Sequence, residues 1–212
     1  LSYIRGLFVI VRFYWTCSQT AIGLLYSLSY AIKMSKKGDY RINGYFDYVV
    51  PPLEGFWWQE GSERIDYSRK KDFCWISLIR LPDFVTNEDF QNIKNATEQK
   101  KNHDYSKVEF MTIEEGLCVQ CMHIGSYDEE YKTISMMEQY LEECGFISDL
   151  SPNRLHHEIY LSDARRVVPE KWKTVIRHPI RKKRRIVWQH QKNFMIISLR
   201  TCNVLALYPA EK

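Results

Sequence analysis

The chain has 212 residues, 45% hydrophobic and 26% charged, a composition that excludes a disordered or fibrous protein and a length that suits one well-buried domain or two small modules sharing an interface. Its formal charge of +4 hides a segregation: residues 1–38 and 171–210 hold no Asp or Glu, whereas residues 39–170 carry 25 acidic against 14 basic residues. A body of that sign favours cationic or neutral ligands over polyanions, so nucleic acid is not an indicated partner.

The first apolar run, LFVIVRFY at 7–14, is too short to span a bilayer, is interrupted by Arg12, and lacks a secretory cleavage pattern, so neither membrane insertion nor export is expected. The six cysteines (Cys17, Cys74, Cys118, Cys121, Cys144 and Cys202) are scattered, mostly inside apolar runs, which points to a reducing cytoplasm. Ala21, Leu24, Leu25, Leu28 and Ile32 recur at helical spacing, predicting a helix over 20–34 that stops at Lys36-Lys37-Gly38. Residues 45–50 and 55–59 read as extended chain split by Pro51-Pro52, because proline donates nothing to a ladder. FCWISLIRL at 73–81 is a strand of aromatic and branched residues.

Thr86-Asn87-Glu88-Asp89 has the chemistry of a capping box, opening a helix with Phe90 and Ile93 inward that ends near Lys101. Extended stretches are predicted at 108–113 and 117–124. Ser126-Tyr127-Asp128-Glu129 is a second helix start of the same kind, followed by a stripe of Ile134, Met137, Leu141 and Cys144 and a closing Gly145. Strands at 157–161 and 173–177 complete a strand, helix, strand, strand order. The first half matches it if 7–14 is its opening strand, so an α+β fold of duplicated βαββ modules is expected. Residues 1–19 are then an atypical N-terminal segment, 20–182 the domain, and 183–212 a basic and apolar tail, with RKKRR at 181–185 read as a solvated charge run.

Several longer strings carry a family likeness: LLYSLSYAIKM at 24–34, GYFDYVVPPLEGFWW at 44–58, IRLPDFVTNEDF at 79–90, EEGLCVQCMHIGSYDEE at 114–130, HHEIYLSDARR at 156–166 and IRHPIRK at 176–182. With them the chain resembles the gyrase-inhibitor-like small-molecule-binding family over about 21–182. The resemblance implies two βαββ modules related by a pseudo-twofold axis, with a cleft between them lined by aromatics around a central acid. It implies drug-binding proteins, effector domains of multidrug-responsive regulators, or hydrolases that open the cyclopropane of DNA-alkylating compounds. Possible partners of that kind are therefore gyrase or a regulator. The ends depart from the family pattern, which normally opens on a strand leading to a Gly-rich turn and stops soon after the IRHP strand.

Strand alternation puts Glu158 and Tyr160 on one face, with His157, Ile159 and Leu161 on an apolar opposite face. The family comparison makes Glu158 the central pocket acid; the competing reading is an edge carboxylate paired with Arg165 or Arg166. Tyr127, in the HIGSYDEE turn, either presents its phenol to a ligand or packs the helix start. Trp57, Trp58 and Trp75 are candidate walls, Trp57 and Trp58 pointing to opposite faces so that only one touches ligand, with Tyr45, Tyr48 and Tyr160 as further aromatic candidates. His123 reads as a core residue. Cys118 and Cys121 face opposite sides of a strand, His156 and His157 diverge, and no phosphate loop, nucleophile elbow or zinc-helix pattern occurs, so no metal or cofactor is expected. The expected function is binding of hydrophobic, planar or cationic drug-like molecules, extended to hydrolysis of cyclopropanes with Glu158 and Tyr127 catalytic. A gyrase-inhibitor-like binder or a regulator's sensing domain is the alternative.

Overall fold

Helix α1 (Gln19–Met34) turns Ala21, Leu25, Leu28 and Ile32 onto one buried face, as the helical spacing predicts. In the computed structural model, which describes residues 2–13, 19–38, 40–61 and 66–183, the other elements are β1 (Ser2–Phe13), β2 (Leu53–Gln59), β3 (Phe73–Leu81), α2 (Asn87–Lys101), β4 (Val108–Ile124), α3 (Glu130–Glu143), β5 (Phe146–Ser148), β6 (His156–Tyr160) and β7 (Lys173–Lys182). The expected tail from 184 onward, including Arg184 and Arg185 of the basic run, lies outside the described residues, as does 14–18 of the N-terminal segment.

The seven strands form one antiparallel sheet in the order β4-β1-β3-β2-β6-β7-β5, and β4 pairs with β7 as well as β1. The 17 residues of β4 make this possible: Val108 to Cys118 lie along β1, and Cys118 to Ile124 lie along β7. Six strands thus close into a circuit. Two separate stretches were expected where β4 runs unbroken, because the Glu114-Glu115-Gly116 junction is a bulge rather than a turn. The register shifts there by one residue, and Gly116 takes φ +69°. The segment 45–50, expected as extended chain, carries no strand pairing. The short β5 against Lys182 to Ile180 is an addition.

Alternation gives the sheet two buried faces. Val9, Ile79 and Leu81 face α1 and α2, meeting Leu25, Leu28, Phe90 and Ile93. Val119, Cys121, Ile176 and Ile180 face α3 through Met137 and Leu141. Phe8, Ile10, Phe56 and Leu78 lie on the other side, inside the curve of the sheet. Cys144, expected in the α3 stripe, is exposed at the helix end, where Gly145 at φ +75° turns the chain away.

The capping box at α2 forms as predicted: Thr86 Oγ1 accepts from the Asp89 N–H at 3.1 Å and Asp89 Oδ2 accepts from the Thr86 N–H at 2.9 Å. Tyr40 also donates to Asp89, at 2.7 Å, tying the loop after α1 to this helix start. Thr86→Ala is expected to cost about 1 kcal/mol, read as a lower denaturant midpoint with an unchanged slope.

Candidate functional site

The helix-bearing face of β2, β3 and β6 is left partly uncovered between α1 and the start of α3, and there it forms a cavity of about 970 Å³. Register decides which side chains reach it. Gly55 opposes Glu158 across β2 and β6, Trp57 opposes His156, and on β3 Ser77 and Trp75 oppose Gly55 and Trp57, so all project to one face. From above come Ile22, Gly23 and Tyr26 of α1, and Tyr127 and Glu130 at the opening of α3. Of the predicted site residues the cavity brings together Glu158, Tyr127, Trp57, Trp75 and Tyr160. Trp58 projects to the opposite side of β2, and Tyr45 and Tyr48 pack against Phe84 with ring centroids 5.3 and 5.9 Å away, outside the cavity lining.

The walls are stacked aromatics. Trp57 and Trp75 lie 5.6 Å apart at 30°, and Tyr127 sits between Trp172 at 4.6 Å and Tyr160 at 6.0 Å. Trp57 Nε1 donates to the Tyr160 hydroxyl at 2.8 Å. This bond passes over Gly55, where an added Cβ would lie 2.9 Å from the Tyr160 hydroxyl and 3.0 Å from Trp57 Nε1. Glycine is needed there for close approach rather than for φ. The turn carrying Tyr127 is fixed from below by His123, whose ring nitrogens bond Thr133 Oγ1 at 2.9 Å and the Ser126 carbonyl at 3.0 Å. Ser126 caps this turn by accepting from the Asp128 N–H, and no reciprocal bond from Glu129 closes a capping box.

At the cavity floor Glu158 is 7% exposed and Glu130 is 2% exposed. Glu158 Oε1 lies 2.8 Å from His156 Nε2, and His156 Nδ1 lies 2.6 Å from His178 Nε2, a cross-strand chain of three buried groups. Arg165 and Arg166, the alternative partners for Glu158, instead pair with Asp163 at the rim. The buried Glu158 carboxylate acts on its neighbours. Burial and then the Glu158 charge push Tyr127 up to about 12 and Tyr160 well above the ordinary phenol range, and they raise Glu130 out of the carboxylate range. His178 is held well below the ordinary imidazole value by burial and by its neighbour His156.

Sequence reasoning did not single out Glu130, His156 or His178 for this site. Glu130 is three residues beyond Tyr127, one turn along the same helix start, and His178 falls opposite His156 once the strands are paired. Only the second fact needs the fold. Glu130, His156 and Glu158 each offer a ligand atom within 4.8 Å of the others, the one such group among the described residues, where the sequence indicated no metal ligands. Cys118 and Cys121 do face opposite sides, and burial raises both thiols, Cys118 to about 12.

The reverse face of β6 is a correction. It was expected to be apolar, yet His157 is fully buried between two carboxylates, with Nδ1 2.9 Å from Glu115 Oε1 and Nε2 2.8 Å from Glu54 Oε2. Arg177 Nη1 donates to Glu115 Oε2 at 2.8 Å, and Arg154 donates to the Glu115 and Leu117 carbonyls. Glu115 is the bulged residue of β4, so the bulge is what aims it inward.

Among solved structures, one titled an uncharacterized conserved protein from Listeria innocua is 42% identical with a TM-score of 0.79, covering 85% of this chain and 90% of its own. Another, titled a hydrolase from Listeria innocua, is 40% identical with a TM-score of 0.77 over the same shares. No curated protein matches. The model for the GyrI-like small molecule binding domain matches residues 9–181, and by that match the chain belongs to the GyrI-like small-molecule-binding family.

Proposed function

We propose that this protein binds planar, largely apolar molecules, cationic ones included, in the aromatic cavity, with Glu158 as the anchoring charge, and that it hydrolyses cyclopropanes conjugated to a dienone. The observation that carries the reading is a buried carboxylate, held by His156, at the floor of a cavity walled by Trp57, Trp75, Tyr127 and Tyr160. Flat rings give broad contact with planar ligands, and both the rings and the anion attract positive charge. The duplicated βαββ reading belongs to the same proposal. It is supported by two runs of strand, helix, strand, strand, the second with the short β5 inserted after its helix, and by β1 pairing with β4 and β2 with β6.

In the hydrolytic step a water oxygen bonds to a ring carbon while the strained carbon–carbon bond breaks. Its electron pair passes through the dienone to the carbonyl oxygen, which becomes a phenol. Glu158 takes the water proton, and Tyr127 supplies the proton to the phenolate. Strain release and gained aromaticity lower this barrier, so one positioned base and one donor suffice. The name hydrolase on a Listeria innocua neighbour favours turnover over binding alone.

The test is incubation with a cyclopropane-bearing alkylator and detection of the ring-opened product by its gain of one water. Saturable binding without that product would leave a non-enzymatic binder, such as a gyrase-inhibitor-like protein or a sensing domain. Gly55→Val should separate the cavity from the fold: its side chain displaces the Tyr160 hydroxyl and the Trp57 indole, so ligand affinity is expected to fall about tenfold or more while the circular dichroism spectrum is kept.

A further inference from the structure

Glu130 is the first residue of α3, yet it does not behave as a solvated helix-start acid. It is 2% exposed, it lines the cavity, and its Oε1 is buried with no hydrogen-bond partner. A carboxyl oxygen of Glu130 lies within 4.8 Å of one of Glu158. We propose that Glu130 is a second functional carboxyl of the cavity, the proton donor that works opposite Glu158, so that acid and base are two glutamates. This rests on the hydrolytic reading above and changes its donor.

The groups around the pair assign the proton. On β6 stand His156 and Tyr160; on the turn before α3, Tyr127 and Asp128; on β7, His178, reached through His156. Arg165, the one arginine lining the cavity among the described residues, is held by both oxygens of Asp163, with Nε and Nη2 each at 2.9 Å. Two carboxylates buried side by side do not both ionise unless a cation intervenes. Glu158 has the His156 imidazole to bond; Glu130 has no comparable donor on Oε1, so the proton resides on Glu130. Burial, the Glu158 charge and a hydrogen bond to the Glu158 carboxylate all favour its neutral form. The first two also make Tyr127 a weaker acid, pushed up to about 12, and so a poorer donor near neutral pH than a carboxylic acid.

The step balances without any further reactant. Water's oxygen bonds to the ring carbon, the carbon–carbon pair reaches the carbonyl oxygen, Glu130 protonates that oxygen, and Glu158 accepts the proton released by water. Transfer from Glu158 to Glu130 then restores the starting state. In a ligand that is only bound, the neutral Glu130 carboxyl would donate a hydrogen bond to a carbonyl.

Two measurements on the full chain decide this. Carbon-detected NMR of glutamate carboxyls in the ligand-free protein should show one resonance titrating above the carboxylate range, absent in Glu130→Gln and returned toward that range in Glu158→Gln. The second variant keeps Glu130, so the result does not depend on Glu130→Gln folding. With a cyclopropane-bearing alkylator, Glu130→Gln should lower kcat roughly 10²-fold or more with KM little changed and should remove the alkaline limb of the pH–rate profile. Tyr127→Phe should lose less than about tenfold. A Glu130 resonance in the ordinary range overturns the proposal, as does a larger loss in Tyr127→Phe than in Glu130→Gln. A rate that requires added Zn²⁺ or Mn²⁺ and is abolished by a chelator also overturns it, since a cation would then replace the proton. If wild type forms no product, hydrolysis fails as a reading while the titration still decides whether Glu130 holds the proton.

Discussion

Glu158→Gln is expected to lower turnover of a cyclopropane substrate roughly 10²–10⁴-fold while leaving the fold intact. The amide matches the carboxylate in shape and keeps a hydrogen-bond acceptor for His156 Nε2, but it cannot take a proton from water. For a ligand that is bound and not turned over, the expectation divides by charge. A cationic ligand loses about 2–5 kcal/mol, because a desolvated charge pair is truncated, whereas a neutral planar ligand held by Trp57 and Trp75 loses little. The comparison is made by calorimetric titration of both ligand types against both proteins. An equal loss for the two would show that Glu158 supports the cavity wall rather than the ligand's charge.

Glu115→Ala is expected to destabilise the protein by roughly 3–5 kcal/mol, the largest stability effect of any single change considered, without contact with the cavity. Its side chain accepts from Arg177 and from His157, so its removal leaves the half-buried Arg177 with Gln120 but no carboxylate, and His157 with Glu54 alone. The bulge at Glu114-Glu115-Gly116 would then hold no inward group, and pairing of β4 with both β1 and β7 would loosen at its junction. Thermal unfolding of the variant should show a large fall in Tm.

The same network sets a pH window. His157 is raised above the ordinary imidazole value: burial opposes its charge, but the hydrogen bonds and charges of Glu115 and Glu54 outweigh it. A raised folded value means its contribution is complete below about 6.5 and is lost as pH rises through that folded value. Glu115 is lowered: burial opposes ionisation, and the bonds and charges of His157 and Arg177 overcome it. Its contribution is present above the usual carboxylate range and is lost as pH falls through the lowered value. Stability should therefore be greatest between those limits, and His157→Gln should flatten the alkaline side of a plot of Tm against pH.

Local chemistry was readable where the cause is local. Thr86 and Asp89 specify their cap within four residues, FCWISLIRL specifies β3 over its full length, and alternation puts Glu158 and Tyr160 on one side of β6. The resemblance carried the cavity, since nothing in spacing alone brings Trp57 and Trp75 to the wall that faces Tyr127. What stayed hidden depends on pairings between residues far apart in sequence. Closure of β4 onto β7 and the bulge that aims Glu115 at His157 bring together residues 42 positions apart. The His156 to His178 bond likewise needs the register of β6 against β7. Glu130 was within reach, because an acid one turn beyond Tyr127 on the same helix start must lie on Tyr127's side, but its burial depends on how α3 sits over the sheet.

The cavity is where a planar ligand is expected to meet Glu158. The most direct measurement is a calorimetric titration of a planar polycyclic cation against wild type, Glu158→Gln and Gly55→Val. Saturable one-to-one binding to wild type, weakened in both variants, is the predicted result; equal binding to all three would contradict it.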